Sequence, residues 1–390
     1  MKKVLFTFFI AVVAGMSASA QGYKVTLITP SYSSGIAYLT YHWGKNLNIQ
    51  DSTAVSSDGK AVFKGEKNLV PGIYAIVFPG KNLTADFFVD KEQDITIKAD
   101  TTKLEEMVVT GSKENVLFQQ YQKFIAVKGS QMQKAKMDYN TAKTKQDSTM
   151  YEDLYNKYNK ELNDYRDKIT SEHPESMMAA LLKAMKEPPY PTKKAVTHQD
   201  SLDNYYYYKS HYWDGITFMD ERIIRTPFFL PKLERYYREV MPQDPDSIIK
   251  DLDYKLLLAR SAPEMYKFLL NWSTDEYINP KYMGQDKIFV HLFDKYHNQG
   301  LTPWLNEKQN EAIKKRYYMV VMNLVGEPAA NIDLVDSTGK TTSLYDVKAD
   351  YTVVVFWDPT CGHCKQEVPK LDSAFKASWK AKNVKMYGVL

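Results

Sequence analysis

The hydrophobic period of this chain changes twice, and each change limits what the residues around it can build. Between residues 22 and 100, six short segments are rich in Val, Ile, Tyr, Phe and Thr: "GYKVTLITP" (22–30), "GIAYLTYHW" (35–43), "GKAVFKGE" (59–66), "GIYAIVFPG" (72–80), "TADFFVD" (84–90) and "DITIKAD" (94–100). They often alternate apolar with polar residues and are separated by Gly, Pro, Asn, Asp and Lys. A period of two sorts side chains onto the two faces of a strand. Six or seven strands at this spacing predict an all-β sandwich or small barrel over residues 21–111. His42 stands alone there, as a packed or surface residue rather than a ligand.

Near "VVTGSKEN" (108–115) the period shifts to that of a helix. In "YEDLYNKYNKELNDYRDKI" (151–169), Tyr151, Tyr155, Tyr158, Leu162, Tyr165 and Ile169 follow at steps of 4, 3, 4, 3 and 4. That spacing gives one apolar stripe, close to a heptad seam. Further helices are expected over 176–187, 203–216, 227–240, 245–261, 262–277, 286–300 and 306–326. Together they predict an all-α domain over 112–323. The chain's 29 tyrosines lie mostly here, where a ring can be buried while its hydroxyl stays wet or bonded. Packing explains them better than a peptide or sugar platform. Asp220 and Glu221 sit beside Arg222 and Arg225, which reads as a structural ion-pair patch. His198, His211, His291 and His297 lack metal-binding spacing.

The leader and the charge limit compartment and partners. Met1-Lys2-Lys3, the twelve-residue run Val4–Gly15 and Ala18-Ser19-Ala20 form a basic, an apolar and a small-residue region in order. This is the pattern of a secretory signal, cleaved after Ala20. Twelve residues fall short of the roughly 18–20 that span a bilayer, and no later segment is apolar enough, so no membrane span is expected after cleavage. Roughly 370 mature residues suggest two or three domains. A net charge of +4 without a basic cluster gives no support for nucleic-acid binding.

The period changes again in the last segment. A strand at 331–335, a turn at Ser337–Lys340 and a polar return make a hairpin, and "SLYDV" a helical turn. "YTVVVFW" (351–357) reads as a strand buried on both faces of a parallel sheet. A helix (364–382) with Pro369 inside it and a second strand (384–390) complete a βαβ unit. Cys361 and Cys364, the only cysteines, fall between strand and helix. Zinc would need four ligands, and only His363 is near. A structural disulfide would close a loop too small to matter. A peroxidase of this fold would carry Pro where Val354 stands. Thiol–disulfide exchange fits the placement. Cys361 lies in the first helical turn, where free N–H groups and the helix dipole favour a thiolate. Cys364 lies one turn deeper and shielded, placed to resolve a mixed disulfide.

"VVVFWDPTCGHCKQEVPKL" resembles the active-site stretch of exported thioredoxin-fold oxidoreductases of the TlpA/ResA type, and "GEPAANIDLVDSTGKTTSLYDV" is similar to that family's leading hairpin. "GSKEN" and "YWDGITFMDERIIRTPFF" resemble a multi-domain form, in which β-rich and helical domains precede the thioredoxin-like one. The resemblance implies a periplasmic thiol–disulfide oxidoreductase acting on disulfide-bearing exported proteins, re-reduced by a membrane thiol electron donor and using no cofactor or metal. It makes Cys361 the nucleophile and Cys364 the resolving thiol. Trp357 would pack beside them, Glu367 would tune thiol acidity or relay a proton, and Pro369 would kink the helix, with Pro359 in support. Gly362-His363 resembles the pair in protein disulfide isomerases, whose potential is about −180 mV against about −270 mV for thioredoxin.

A complete domain of that kind continues with a helix, an antiparallel strand pair and a last helix, with a cis-proline facing the cysteines. This sequence stops at Leu390. The expectation is therefore that 324–390 is the N-terminal part of a thioredoxin-like domain in a truncated product, roughly 70–90 residues short on ordinary element lengths. Its 351–357 strand would then keep an open apolar edge, and thiol exchange would be poor. The competing expectation is an exported binding or scaffold protein with a non-functional redox module.

Overall fold

The computed structural model describes residues 22–191 and 194–390; the leader expected over 1–20 lies outside them. The chain divides into two units, one ending at Ser273 and the other beginning at Thr274. Among the described residues there is an N-terminal β-rich region, a helical middle and a C-terminal thioredoxin-like region. No helix among them is long and apolar enough to cross a membrane.

Eight strands open the first unit: β1 (Tyr23–Ile28), β2 (Ile36–Trp43), β3 (Asn46–Ala54), β4 (Lys60–Gly65), β5 (Gly72–Val77), β6 (Thr84–Val89), β7 (Asp94–Lys98) and β8 (Val108–Thr110). They form two four-stranded sheets, ordered β4-β1-β7-β8 and β3-β2-β5-β6. All pairs are antiparallel except β1 with β7. Alternation explains the core: Val25, Leu27, Phe63, Ile95 and Ile97 from one sheet share a buried cluster with Leu39, Tyr74, Ile76 and Phe87 from the other. The sequence reading missed β3. Its residues "NLNIQDSTA" leave no position fully buried, so an edge strand without an apolar face carried no period to find. β8, three residues long, is equally silent.

The opposite face of β5 and β6 supplies Ile73 and Phe88 to a second core, completed by Tyr121, Ile169, Met177, Met178, Leu181 and Leu182. These come from α1 (Lys113–Thr141), α2 (Lys145–Glu172) and α3 (Met177–Met185). The pentapeptide "GSKEN" (111–115) makes this junction. Gly111 adopts φ +88°, and a Cβ there would sit 2.3 Å from the Asp94 carbonyl oxygen, so only glycine fits. Ser112 caps α1, accepting the Asn115 N–H. Glu114 caps α3, accepting the N–H of Met177 at 3.1 Å and of Met178 at 3.2 Å. Asn115 pairs with the outward backbone of Phe88 on edge strand β6.

α1 and α2 pair in reverse order: Tyr121 meets Arg166, and Lys128 meets Glu161. They are thus an antiparallel hairpin. The expected stripe faces α1 through Tyr165, which stacks on Phe124, and through the buried Ile169. After them come α4 (His198–Ser210), α5 (Phe229–Arg235), α6 (Pro245–Leu258) and α7 (Pro263–Tyr277), within which the units divide. α4 starts five residues before its expected position, because Thr197 and Asp200 form a capping box. The expected 227–240 helix begins at Phe229 and ends as a wide π turn over 236–240. Asp220 behaves as the ion-pair reading expected, taking both prongs of Arg222 (2.9 and 2.7 Å). Glu221 does not: its carboxylate accepts the backbone N–H of Glu264 and caps α7, while Arg225 pairs with Glu264 at 3.8 Å. Tyr212, Tyr236 and Tyr237 are buried in an aromatic cluster, consistent with packing.

The second unit adds α8 (Asp286–Leu292) and α9 (Glu307–Val320), then the hairpin β9 (Asp333–Val335) and β10 (Thr341–Ser343). The βαβ unit is β11 (Tyr351–Phe356), α10 (Gly362–Ala374) and β12 (Val384–Val389), with the strands parallel and in register from Tyr351↔Val384 to Phe356↔Val389. The Tyr387 hydroxyl is bonded to Ile332 O at 3.0 Å and Thr342 O at 2.8 Å, tying the hairpin to β12. One expectation fails: β11 is not buried on both faces. Its centre is half-buried, and Tyr351 and Phe356 are 72% and 70% exposed. Its sheet holds two strands among the described residues, so there is little surface to bury it against.

Candidate active site

The site forms where β11 runs out. Trp357 donates its backbone N–H to Val389 O at 3.0 Å, extending the ladder by one step, and its indole nitrogen lies near Gly388. Asp358 then turns the chain. Its carboxylate accepts both the N–H and the hydroxyl of Thr360, each at 2.6 Å, and its carbonyl accepts the Cys361 N–H at 3.1 Å. The turn delivers Cys361 as the N-cap of α10, with Pro359 at its exposed corner.

Both cysteines are free thiols and both are half-buried. Cys364 is therefore not the shielded partner that its depth in the helix suggested; a first-turn position on this helix is open to solvent. The backbone N–H of Cys364 donates to Cys361 Sγ at 3.3 Å. The two sulfurs are nevertheless unequal. The Cys364 thiol, first, and then the N–H groups of Cys364 and His363 hydrogen-bond to Cys361 and hold it below the ordinary thiol value. The same S–H contact pushes Cys364 up. The Asp358 carboxylate opposes ionisation at both sulfurs. One thiol is thus poised to ionise and the other to keep its proton, which is the division that stepwise exchange needs.

The remaining expected residues lie along α10. His363 is exposed. Glu367 accepts from Lys370 at 2.7 Å on the open face of α10. Pro369 lies inside α10, where its carbonyl accepts the Ser373 hydroxyl at 2.8 Å. The sequence reading missed Asp358. Its signal was the D-x-T spacing, because a carboxylate two residues before Thr closes an Asx turn. Asp100 with Thr102 and Asp336 with Thr338 do the same elsewhere in the chain. Among the described residues no three His, Cys, Asp or Glu side chains converge to hold a metal.

Residues 325–390 match the AhpC/TSA family. That match supports a thioredoxin-like region and suggests a redox-type role. Residues 23–118 match a domain of unknown function, DUF4369, and residues 167–323 another, DUF5106. The chain is also similar to the crystal structure of a thioredoxin-like protein from Bacteroides caccae. The two share 17% identity, with 52% of this chain and 72% of that one covered and a TM-score of 0.39. No curated protein matches the chain.

Proposed function

We propose that the chain is an exported, periplasmic thiol–disulfide oxidoreductase of the TlpA/ResA type, exchanging disulfides with exported proteins through Cys361 and Cys364. The observation that carries this reading is the placement of two free thiols at one helix start, with Cys361 as the N-cap of α10 and its sulfur receiving the Cys364 N–H at 3.3 Å; the lowered Cys361 thiol agrees with it. The Cys361 thiolate attacks one sulfur of a substrate disulfide. That S–S bond breaks, and the other substrate sulfur leaves as a thiolate and takes a proton from solvent. Cys364 loses its proton to solvent and attacks Cys361 Sγ, and the first substrate sulfur leaves and is protonated. Two electrons have passed to the substrate, and the pair is left as a disulfide for a membrane thiol donor to reduce. His363 supports a potential nearer the isomerases than thioredoxin, while Trp357, Pro359, Glu367 and Pro369 shape the surroundings.

Insulin reduction with dithiothreitol as electron source tests it. Cys361→Ser abolishes turnover, and Cys364→Ser accumulates a mixed disulfide through Cys361. A Cys361→Ser chain that still reduces insulin overturns the assignment. Oxidation of the pair by peroxide at low concentration, faster than by a protein disulfide, would point to a different oxidant.

A further inference from the structure

The helical part of the first unit contains a cleft of about 960 Å³ between the second half of α2, the end of α3 and the turn after α4. That is the size of a small-molecule site. Its charges are unevenly matched. Asp167 faces Lys186 at 3.4 Å, Glu187 accepts from Arg235 at 2.7 Å, and Asp214 pairs with His211 at 2.6 Å. Each carboxylate lining the cleft already has a partner.

Two of its cations have no carboxylate. Arg166 is held by neutral groups: Nε donates to the Tyr121 hydroxyl at 2.9 Å and Nη1 to Asn163 Oδ1 at 3.4 Å. Tyr121 is 4% exposed, so the guanidinium is anchored to a buried group and its remaining donors are left over. Lys183 makes no ion pair among the described residues. The acid that feels it is Asp220, which Arg222 already binds with two prongs. Asn163 uses its oxygen on Arg166, which leaves its NH₂ to donate, and Asn159 lies one turn earlier on the same helix face. Ordinary surface cations are mobile and hydrated; Arg166 is fixed before any ligand arrives, and a preset fork suits planar oxygen anions.

We propose that this cleft binds a small organic anion, a carboxylate or phosphate head group on a polar body, with Arg166 and Lys183 taking the head group and the α2 amides the body. Such a site is independent of the thiol chemistry. Isothermal titration of the whole chain at low salt with glucuronate and with glucose 6-phosphate tests it, with glucose as the neutral control. Saturable binding of one or both anions is expected, and which one binds identifies the head group. Arg166→Lys, which keeps the charge but loses the fork, should weaken binding about tenfold, and Lys183→Gln by a similar factor. Unchanged unfolding midpoints would show that these losses are local; Lys183→Gln serves if Arg166→Lys loosens the helix pair. No saturable binding of either anion, binding of glucose as tight as of glucuronate, or anion binding unaltered by both substitutions overturns the proposal.

Discussion

Asn115 closes the edge of a β-sheet by holding both backbone groups of Phe88. Its Oδ1 accepts the Phe88 N–H at 2.8 Å, and its Nδ2 donates to the Phe88 carbonyl at 2.7 Å. Both residues are fully buried. A side-chain amide thus replaces the next strand of the ladder, on the strand whose outer face the helices cover. Asn115→Ala would leave a buried donor and a buried acceptor unpaired, each worth about 1–3 kcal/mol. The expected loss is about 3 kcal/mol in urea unfolding, and a loss below about 0.5 kcal/mol would show that water replaces the amide.

The aromatic cluster gives a prediction with two signs. Lys255 is 4% exposed, is ringed by Trp213, Phe218, Tyr236 and Tyr237, and is paired with Asp251. Asp251 also accepts the hydroxyls of Tyr236 (3.1 Å) and Tyr237 (2.7 Å). Removing the acid strands a buried ammonium and two hydroxyls, so Asp251→Ala should cost about 3–5 kcal/mol. Lys255→Met strands only Asp251, which is less buried and keeps two hydroxyl donors, and should cost less. Thermal unfolding of the two variants checks the order.

Asp358 separates charge from geometry at the cysteines. Asn at this position can still accept the Thr360 N–H and hydroxyl but carries no charge, so Asp358→Asn should make Cys361 more acidic and speed its alkylation at pH 7. Asp358→Ala loses the turn as well, and should slow insulin reduction even with the repulsion gone. Iodoacetamide rates across pH, read by mass spectrometry at each cysteine, check this. Equal rates for the wild type and the Asn variant would remove the electrostatic part.

His297 makes the second unit acid-sensitive. Its Nε2 bonds Thr274 Oγ1 at 2.9 Å, its Nδ1 is buried without a partner, and burial lowers its pKa from 6.5 to about 4. The folded form therefore stays neutral where the unfolded chain takes up a proton. Stability from this group is complete above pH 6.5, falls as the pH drops toward about 4, and is level below that. Allowing for its partial exposure the loss is about 2 kcal/mol. His297→Gln should flatten stability between pH 6.5 and 4 in denaturant titrations.

What could be read from the sequence followed from period and punctuation. The stripe from Tyr151 to Ile169 announced α2, and the apolar run at 351–356 followed by a cysteine-headed helix announced the βαβ unit. β3 stayed hidden because an exposed edge strand has no apolar face to repeat. The early start of α4 lay in the Thr197–Asp200 cap rather than in any hydrophobic signal. At the site, the cysteine pair and its helix were readable from spacing alone. The turn that aims Cys361 was written in Asp358 and Thr360, but a polar pair beside a reactive thiol is easily taken for loop filler. The exposure of Cys364 and of β11 depends on what packs against them, which one strand's composition does not encode.

The pentapeptide at 111–115 has a consequence for how this protein could have been assembled. Glu114 serves a helix more than sixty residues downstream, while its neighbour Asn115 serves a strand behind it, so neither the strands nor α3 is finished without this short stretch. The segment matching DUF4369 runs through Phe118, whose ring meets Phe88 at 4.5 Å. A gene fusion or proteolytic cut just after the last strand would release a fragment with a raw edge and an oily face. The β-rich region is therefore finished only by the first residues of α1, where the DUF4369 match also ends.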